Sequence, residues 1–230
     1  MKKKMFSMLA GVVGLVLLGI TSAQAVSLDL LINNAGVIVE GDKRFHSFTY
    51  SSTEFPNANI FDVTGITLSG MHGLDFTTSS LFLTSPGAAD VLIGYTVDVL
   101  DPNQKIKDIW LAVEGSAGPG GFVGITETVL DGTEVVVQGQ VALLPGNTWG
   151  VDHIDPLPPL DPIDPLKGTL YSTLKVKKDI ALACQGAGNP CAEVTRVIQL
   201  VSQVPEPASL LLLGSGLVGM AAFGRKRMRG

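Results

Sequence analysis

The feature that most constrains the fold is an alternation of apolar and polar residues with a period of two. In "DVLIGYTVDVL" the residues Val91, Ile93, Tyr95, Val97 and Val99 take every second place, and "TEVVVQGQVAL" repeats the pattern with Val135, Val137, Val141 and Leu143. Successive strand side chains point to opposite faces, so such runs predict strands with one buried and one wet face. Further strands are expected at 28–32, 37–40, 44–50, 66–68, 81–84, 109–114, 123–129, 170–176 and 194–201. Turn-forming clusters separate them, among them Asp101-Pro102-Asn103, Gly118-Pro119-Gly120-Gly121, Asp131-Gly132 and Pro145-Gly146-Asn147. Many short strands with no helical periodicity between them predict an all-β antiparallel β-sandwich, jelly-roll or immunoglobulin-like.

The two ends break this rhythm. Lys2, Lys3 and Lys4 precede an apolar stretch from Leu9 to Ile20 and small residues ending in Ala23-Gln24-Ala25. This order is that of a secretory signal peptide over 1–25, a signal helix cleaved after Ala25, and it places the remainder outside the cytoplasm. At the other end, Ala208 to Gly224 carries no charge and, as a helix, reaches about 25 Å, enough for a thin bilayer. Arg225, Lys226, Arg227 and Arg229 follow and favour the cytoplasmic side, so 208–224 is expected to be a transmembrane helix. Gly214, Gly216 and Gly219 are costly in a soluble helix and ordinary in a membrane one.

Pro205 and Pro207 fit neither a helix interior nor a central strand, so Val204 to Pro207 is expected to protrude as extended chain, open to a processing enzyme. Val-Pro-Glu-Pro-Ala-Ser, a Leu-rich span with glycines and a closing Arg-Lys-Arg resemble the PEP-CTERM sorting signal of exopolysaccharide-producing Gram-negative bacteria. The resemblance covers 204–229 and implies recognition of Pro205, Glu206 and Pro207 by an exosortase, a membrane-embedded cysteine protease or transpeptidase that removes the tail. The other partners expected are signal peptidase and the secretion machinery, then the membrane through the C-terminal helix before processing. The route implied leads from an inner-membrane-anchored intermediate to the cell surface or extracellular matrix.

Between these ends the ectodomain, 26–203, holds nine of the 16 basic and 20 of the 21 acidic residues, a net charge near −11. That balance disfavours nucleic acid and anionic lipid as partners. A proline-rich loop at 152–168 interrupts the strand pattern with a crude Asp-Pro-apolar repeat.

Candidate chemistry is sparse. Cys184 and Cys191, in an exported chain, are expected to form a disulfide across a Gly-rich tip. His46, His72 and His153 are scattered without a metal-binding spacing, and Asp152, Asp155, Asp161 and Asp164 are held apart by prolines, so no metal site is expected. Ser215, inside the apolar span, is no nucleophile elbow. Trp110 and Trp149 are the only indoles on which a sugar could stack. No catalytic residue and no cofactor are expected. The chain reads as a structural or adhesive surface component associated with exopolysaccharide, the alternatives being a carbohydrate-active hydrolase or a Ca-dependent adhesin on a jelly-roll scaffold.

Overall fold

The computed structural model describes residues 24–154, 170–186 and 190–205. Within them the chain forms two facing six-stranded sheets in which every pairing is antiparallel. In chain order the elements are β1 (Val26–Ser27), α1 (Leu28–Asn33), β2 (Ile38–Glu40), β3 (Lys43–Ser52), a 3-10 turn (Ala58–Ile60), β4 (Phe61–Leu68), β5 (Met71–Leu83) and β6 (Gly87–Val99). There follow β7 (Gln104–Ala117), β8 (Gly121–Asp131), β9 (Glu134–Leu143), β10 (Trp149–Ile154), β11 (Thr173–Cys184) and β12 (Ala192–Pro205).

Sheet A has the order β1-β4-β5-β12-β7-β10 and sheet B the order β2-β3-β6-β11-β8-β9. From β5 onward the chain passes from one sheet to the other at every step except the β8–β9 hairpin, and its last two strands insert between earlier ones: β12 between β5 and β7, β11 between β6 and β8. That wiring is a jelly roll, which resolves the choice between the two sandwich types. The inner faces interdigitate through residues of matching parity, such as Phe45, Val97, Val176 and Ile125 from sheet B against Phe76, Leu111, Val113 and Val197 from sheet A, all essentially without exposure.

Three expectations need correction. Residues 28–32 are not a strand but most of α1, which buries Leu28 and Leu31 and leaves Leu30 exposed. An i, i+3 apolar pair is a helical spacing, and with leucines at 28, 30 and 31 the alternation was ambiguous. The proline-rich segment begins later than 152, because Asp152–Ile154 still belong to β10, paired with Leu111–Ile109 of β7. Val204 and Pro205 do not protrude but end β12. The remainder of the proline-rich loop, the expected signal helix up to Ala23, Glu206, Pro207 and the expected transmembrane helix 208–224 with its cations lie outside the described residues.

Candidate functional site

The sorting tail leaves the domain from inside a sheet. β12 pairs with β5 only as far as Val201, opposite His72; beyond that its partner is β7 alone, with Gln203 opposite Ile106, Val204 opposite Lys105 and Pro205 opposite Gln104. Proline is tolerated at a strand end where one flank has lost its neighbour, which is why the strand reaches Pro205 and stops. The last described turn of this exit is held by Lys43 on β3. Its fully buried ammonium donates to Asp42 Oδ1 at 2.6 Å and to Gln203 Oε1. Burial lowers the Lys43 pKa, opposed by the hydrogen bond and charge of Asp42. At the opposite terminus Ala25 is exposed and β1 starts at Val26, which pairs with Val63.

Cys184 ends β11 and Cys191 immediately precedes β12; they are disulfide-bonded with Cα atoms 5.9 Å apart. Because β11 and β12 belong to different sheets, the bond fastens sheet A to sheet B.

The outer face of sheet B is polar and organised around Asp98. Its carboxylate accepts from Arg44 Nε at 3.0 Å and Nη2 at 2.5 Å and from Thr173 Oγ1 at 2.8 Å, and it lies 3.0 Å from His46 Nε2. Partial desolvation raises the Asp98 pKa, but the hydrogen bonds from Arg44, Thr173 and His46 outweigh it and hold the carboxyl below its usual range. Beside this cluster is a recess of about 260 Å³ bordered by Thr49, Ser51, Leu92 and Lys177. Gly94 keeps it open: a Cβ there would come within 2.5 Å of Thr49 Oγ1. Leu92 supplies an apolar patch, 46% exposed.

Next to the recess, Asp90 and Asp179 occupy adjacent strands, Asp179 being opposite Leu92 and Asp90 opposite Ala181. Desolvation first, then the hydrogen bond and charge of Asp90, push the Asp179 pKa up to about 6. The native chain therefore binds more protons than the unfolded one between the ordinary value of 3.8 and about 6, and stability falls as pH rises through that window. Asp179→Asn should raise stability at pH 7 by about 1 kcal/mol, the figure being reduced for solvent screening. Thermal denaturation at pH 7 and near pH 4 checks it: the gain should be confined to pH 7, and an equal gain at both would mean the carboxyls do not repel.

A third polar group lies in the core. Lys178 and Glu127 face each other across β11 and β8, pointing inward, and Gln199 reaches them from β12 in the other sheet. All three are fully buried. Lys178 Nζ donates to Glu127 Oε2 and to Gln199 Oε1, and Gln199 Nε2 donates to the Trp110 carbonyl at 3.0 Å. Tyr95 belongs to the same layer, its ring 6.2, 5.9 and 6.0 Å from those of Phe45, Phe48 and Phe76. Burial, and secondly the charge of Glu127, raise its phenol pKa well above the ordinary value. Sequence reasoning passed over this cluster although the signal was present. Lys178 is in phase with Leu174, Val176, Ile180 and Leu182, Glu127 with Val123, Ile125 and Val129, and Gln199 with Val197 and Val201.

The residues singled out from sequence do not converge. His46 is on the outer face of sheet B, while His72 on β5 contacts Thr67 Oγ1 at 2.8 Å. His153 is on β10, opposite Trp110. Trp110 and Trp149 are on neighbouring strands of sheet A, in registers four residues apart. Among the described residues no three of His, Cys, Asp and Glu could hold a metal ion; Asp155, Asp161, Asp164 and Ser215 lie outside them.

Several solved structures align with about 70% of the chain at low similarity. TmCBM61 in complex with beta-1,4-galactotriose is 12% identical, with a TM-score of 0.35 over 70% of this chain and 89% of its own. A DUF4465 family protein from Bacteroides caccae is 11% identical, with a TM-score of 0.28 over 70% of this chain and 87% of its own. An exo-beta-1,3-galactanase from Phanerochaete chrysosporium is 14% identical, with a TM-score of 0.22 over 70% of this chain and 34% of its own. No curated protein matches the chain. Residues 203–227 match the PEP-CTERM protein-sorting motif. The chain thus carries a PEP-CTERM sorting motif, which indicates an exported protein sorted to the cell surface, and the motif begins at Gln203, inside the last strand of the jelly roll.

Proposed function

We propose that the chain is a non-catalytic structural or adhesive component of the cell surface or extracellular matrix, associated with exopolysaccharide. The observation that carries this reading is the junction at Gln203–Pro205: the sorting motif continues directly from β12, so what the tail delivers is the whole closed sandwich. The route is export through the secretion machinery, signal peptidase cleavage after Ala25, and a membrane-anchored intermediate held by 208–224 with Arg225, Lys226, Arg227 and Arg229 in the cytoplasm of a Gram-negative cell. An exosortase then acts at the Pro205-Glu206-Pro207 signal.

Support for the polysaccharide comes from the outer face of sheet B. Around the recess, hydroxyls of Thr49 and Ser51 and the amine of Lys177 alternate with the Asp90–Asp179 carboxyls over the apolar Leu92. Donors and acceptors of this kind suit a neutral, hydroxyl-rich polymer, and an ectodomain charge near −11 disfavours a polyanion. The test is co-sedimentation of the purified exported protein with exopolysaccharide from its own host. Binding is expected, and the double substitution Thr49→Val with Lys177→Ala should weaken it at least about tenfold, some 1.4 kcal/mol. Failure of the unaltered protein to co-sediment sinks the reading.

One observation favours a second reading, a carbohydrate-active hydrolase: Asp179, its pKa pushed up to about 6, holds its proton beside the recess to a higher pH than an ordinary carboxyl, as a general acid does. Release of reducing sugar from that polysaccharide, abolished by Asp179→Asn, would decide for it.

A further inference from the structure

The side chains of the buried trio Lys178, Glu127 and Gln199 take no part in sorting and meet in the core, although Lys178 also lines the outer-face recess. Its chemistry is that of an acyl transfer. Lys178 supplies an amine, Gln199 a carboxamide whose oxygen already touches that amine, and Glu127 a carboxyl touching it from the other side. The carboxamide cannot swing away freely, because its nitrogen is fastened to the Trp110 carbonyl at 3.0 Å. Fully buried sites shield all three from water, which would otherwise compete as nucleophile and proton relay.

We infer that Lys178 and Gln199 become joined by an intramolecular isopeptide bond, with Glu127 as the proton carrier. The Lys178 ammonium gives one proton to the Glu127 carboxylate, and the freed amine attacks the Gln199 side-chain carbonyl carbon, forming the Nζ–Cδ bond. As the tetrahedral adduct collapses the Cδ–Nε2 bond breaks. Nε2 takes the second proton released by Nζ, relayed by Glu127, and departs as ammonia. The amide keeps one hydrogen and Glu127 retains the remaining proton as a neutral acid. No oxidant, metal or nucleotide is needed.

Two physical arguments drive the step. An ammonium and a carboxylate without solvent access carry a desolvation penalty that their mutual attraction offsets only in part, and the reaction replaces both with neutral groups. Burial also lowers the Lys178 pKa, against the opposing charge and hydrogen bond of Glu127, which brings the neutral nucleophile within reach. The product ties β11 of sheet B to β12 of sheet A across 21 positions of chain, enclosing the Cys184–Cys191 disulfide, which spans 7. Lys43 and Gln203 make a similar contact, but there the acid, Asp42, is 20% exposed and Gln203 is only half-buried, so water reaches the relay and no bond is expected.

The experiment is mass spectrometry of the exported protein with peptide mapping. The unaltered protein should be lighter than its sequence and disulfide require by one ammonia, and a digest should contain a branched peptide joining the Lys178 and Gln199 segments. Glu127→Gln, which keeps the shape but cannot carry the proton, should retain the ammonia. Lys178→Met, which fills the site with an apolar side chain, should retain it too and guards against a misfolded first variant. Full sequence mass in the unaltered protein overturns the inference, as does a branch at Lys43–Gln203 instead. Cross-linking that persists in Glu127→Gln overturns the role of Glu127.

Discussion

Replacing Pro205, Glu206 and Pro207 together by alanine should block processing of the tail in a host with an active exosortase, lowering the rate at least about tenfold, or 1.4 kcal/mol of lost recognition. Unprocessed chain should accumulate in the membrane fraction in place of surface-released protein. The folded domain should be indifferent, because Pro205 is the last residue of β12 and pairs on one side only, opposite Gln104. An unchanged melting temperature would therefore separate lost recognition from lost folding. Normal processing of the triple-alanine chain would show that the tripeptide is not what the enzyme reads. The junction adds a geometric point: the matched motif starts at Gln203, where Lys43 grips the strand, so there is no flexible spacer between the sheet and the signal. An exosortase meets the tripeptide either close against the domain or after the last pairs with β7 have opened.

The strand pattern was legible because antiparallel strands with one wet face write their parity into the sequence. Val91 to Val99 and Val123 to Val129 alternate in the chain and alternate in the sandwich. Parity cannot tell where a strand goes next, so the choice between jelly-roll and immunoglobulin wiring waited on the insertion of β11 and β12 between earlier strands, a long-range fact. α1 was missed because six residues carry too few turns for a helical period to stand out against leucines at 28, 30 and 31. β10 was missed because its residues run into the prolines that follow them. The sorting motif was legible, expected over 204–229 and matched over 203–227, since a linear motif is read by its order rather than by its fold. The outer-face recess was not, because it depends on Gly94 meeting Thr49 and Lys177 from two strands distant in sequence. The core trio was written in the same parity as the strands, but a Lys in phase with Leu174, Val176, Ile180 and Leu182 reads as surface until burial is known.

The same trio gives the largest stability effect expected in the domain. Glu127→Ala should cost about 3–5 kcal/mol, because it leaves the Lys178 ammonium buried opposite nothing of opposite charge. Glu127→Leu combined with Lys178→Met should recover most of that loss, since an apolar pair of similar volume matches the surrounding layer of Val176, Ile180, Ile125 and Val129. Urea midpoints of the two variants measure the difference. A single variant no weaker than an ordinary surface substitution would mean that water reaches Lys178. The double variant should keep its register as well as its stability, because sliding β11 by one residue would turn the buried Leu174, Val176, Ile180 and Leu182 outward together with residue 178, whatever that residue is. Hydrogen exchange along β11 should therefore show unchanged protection at Val176 and Ile180 in the double variant, and faster opening there despite a recovered midpoint would show that the polar trio, rather than the apolar layer, sets the register.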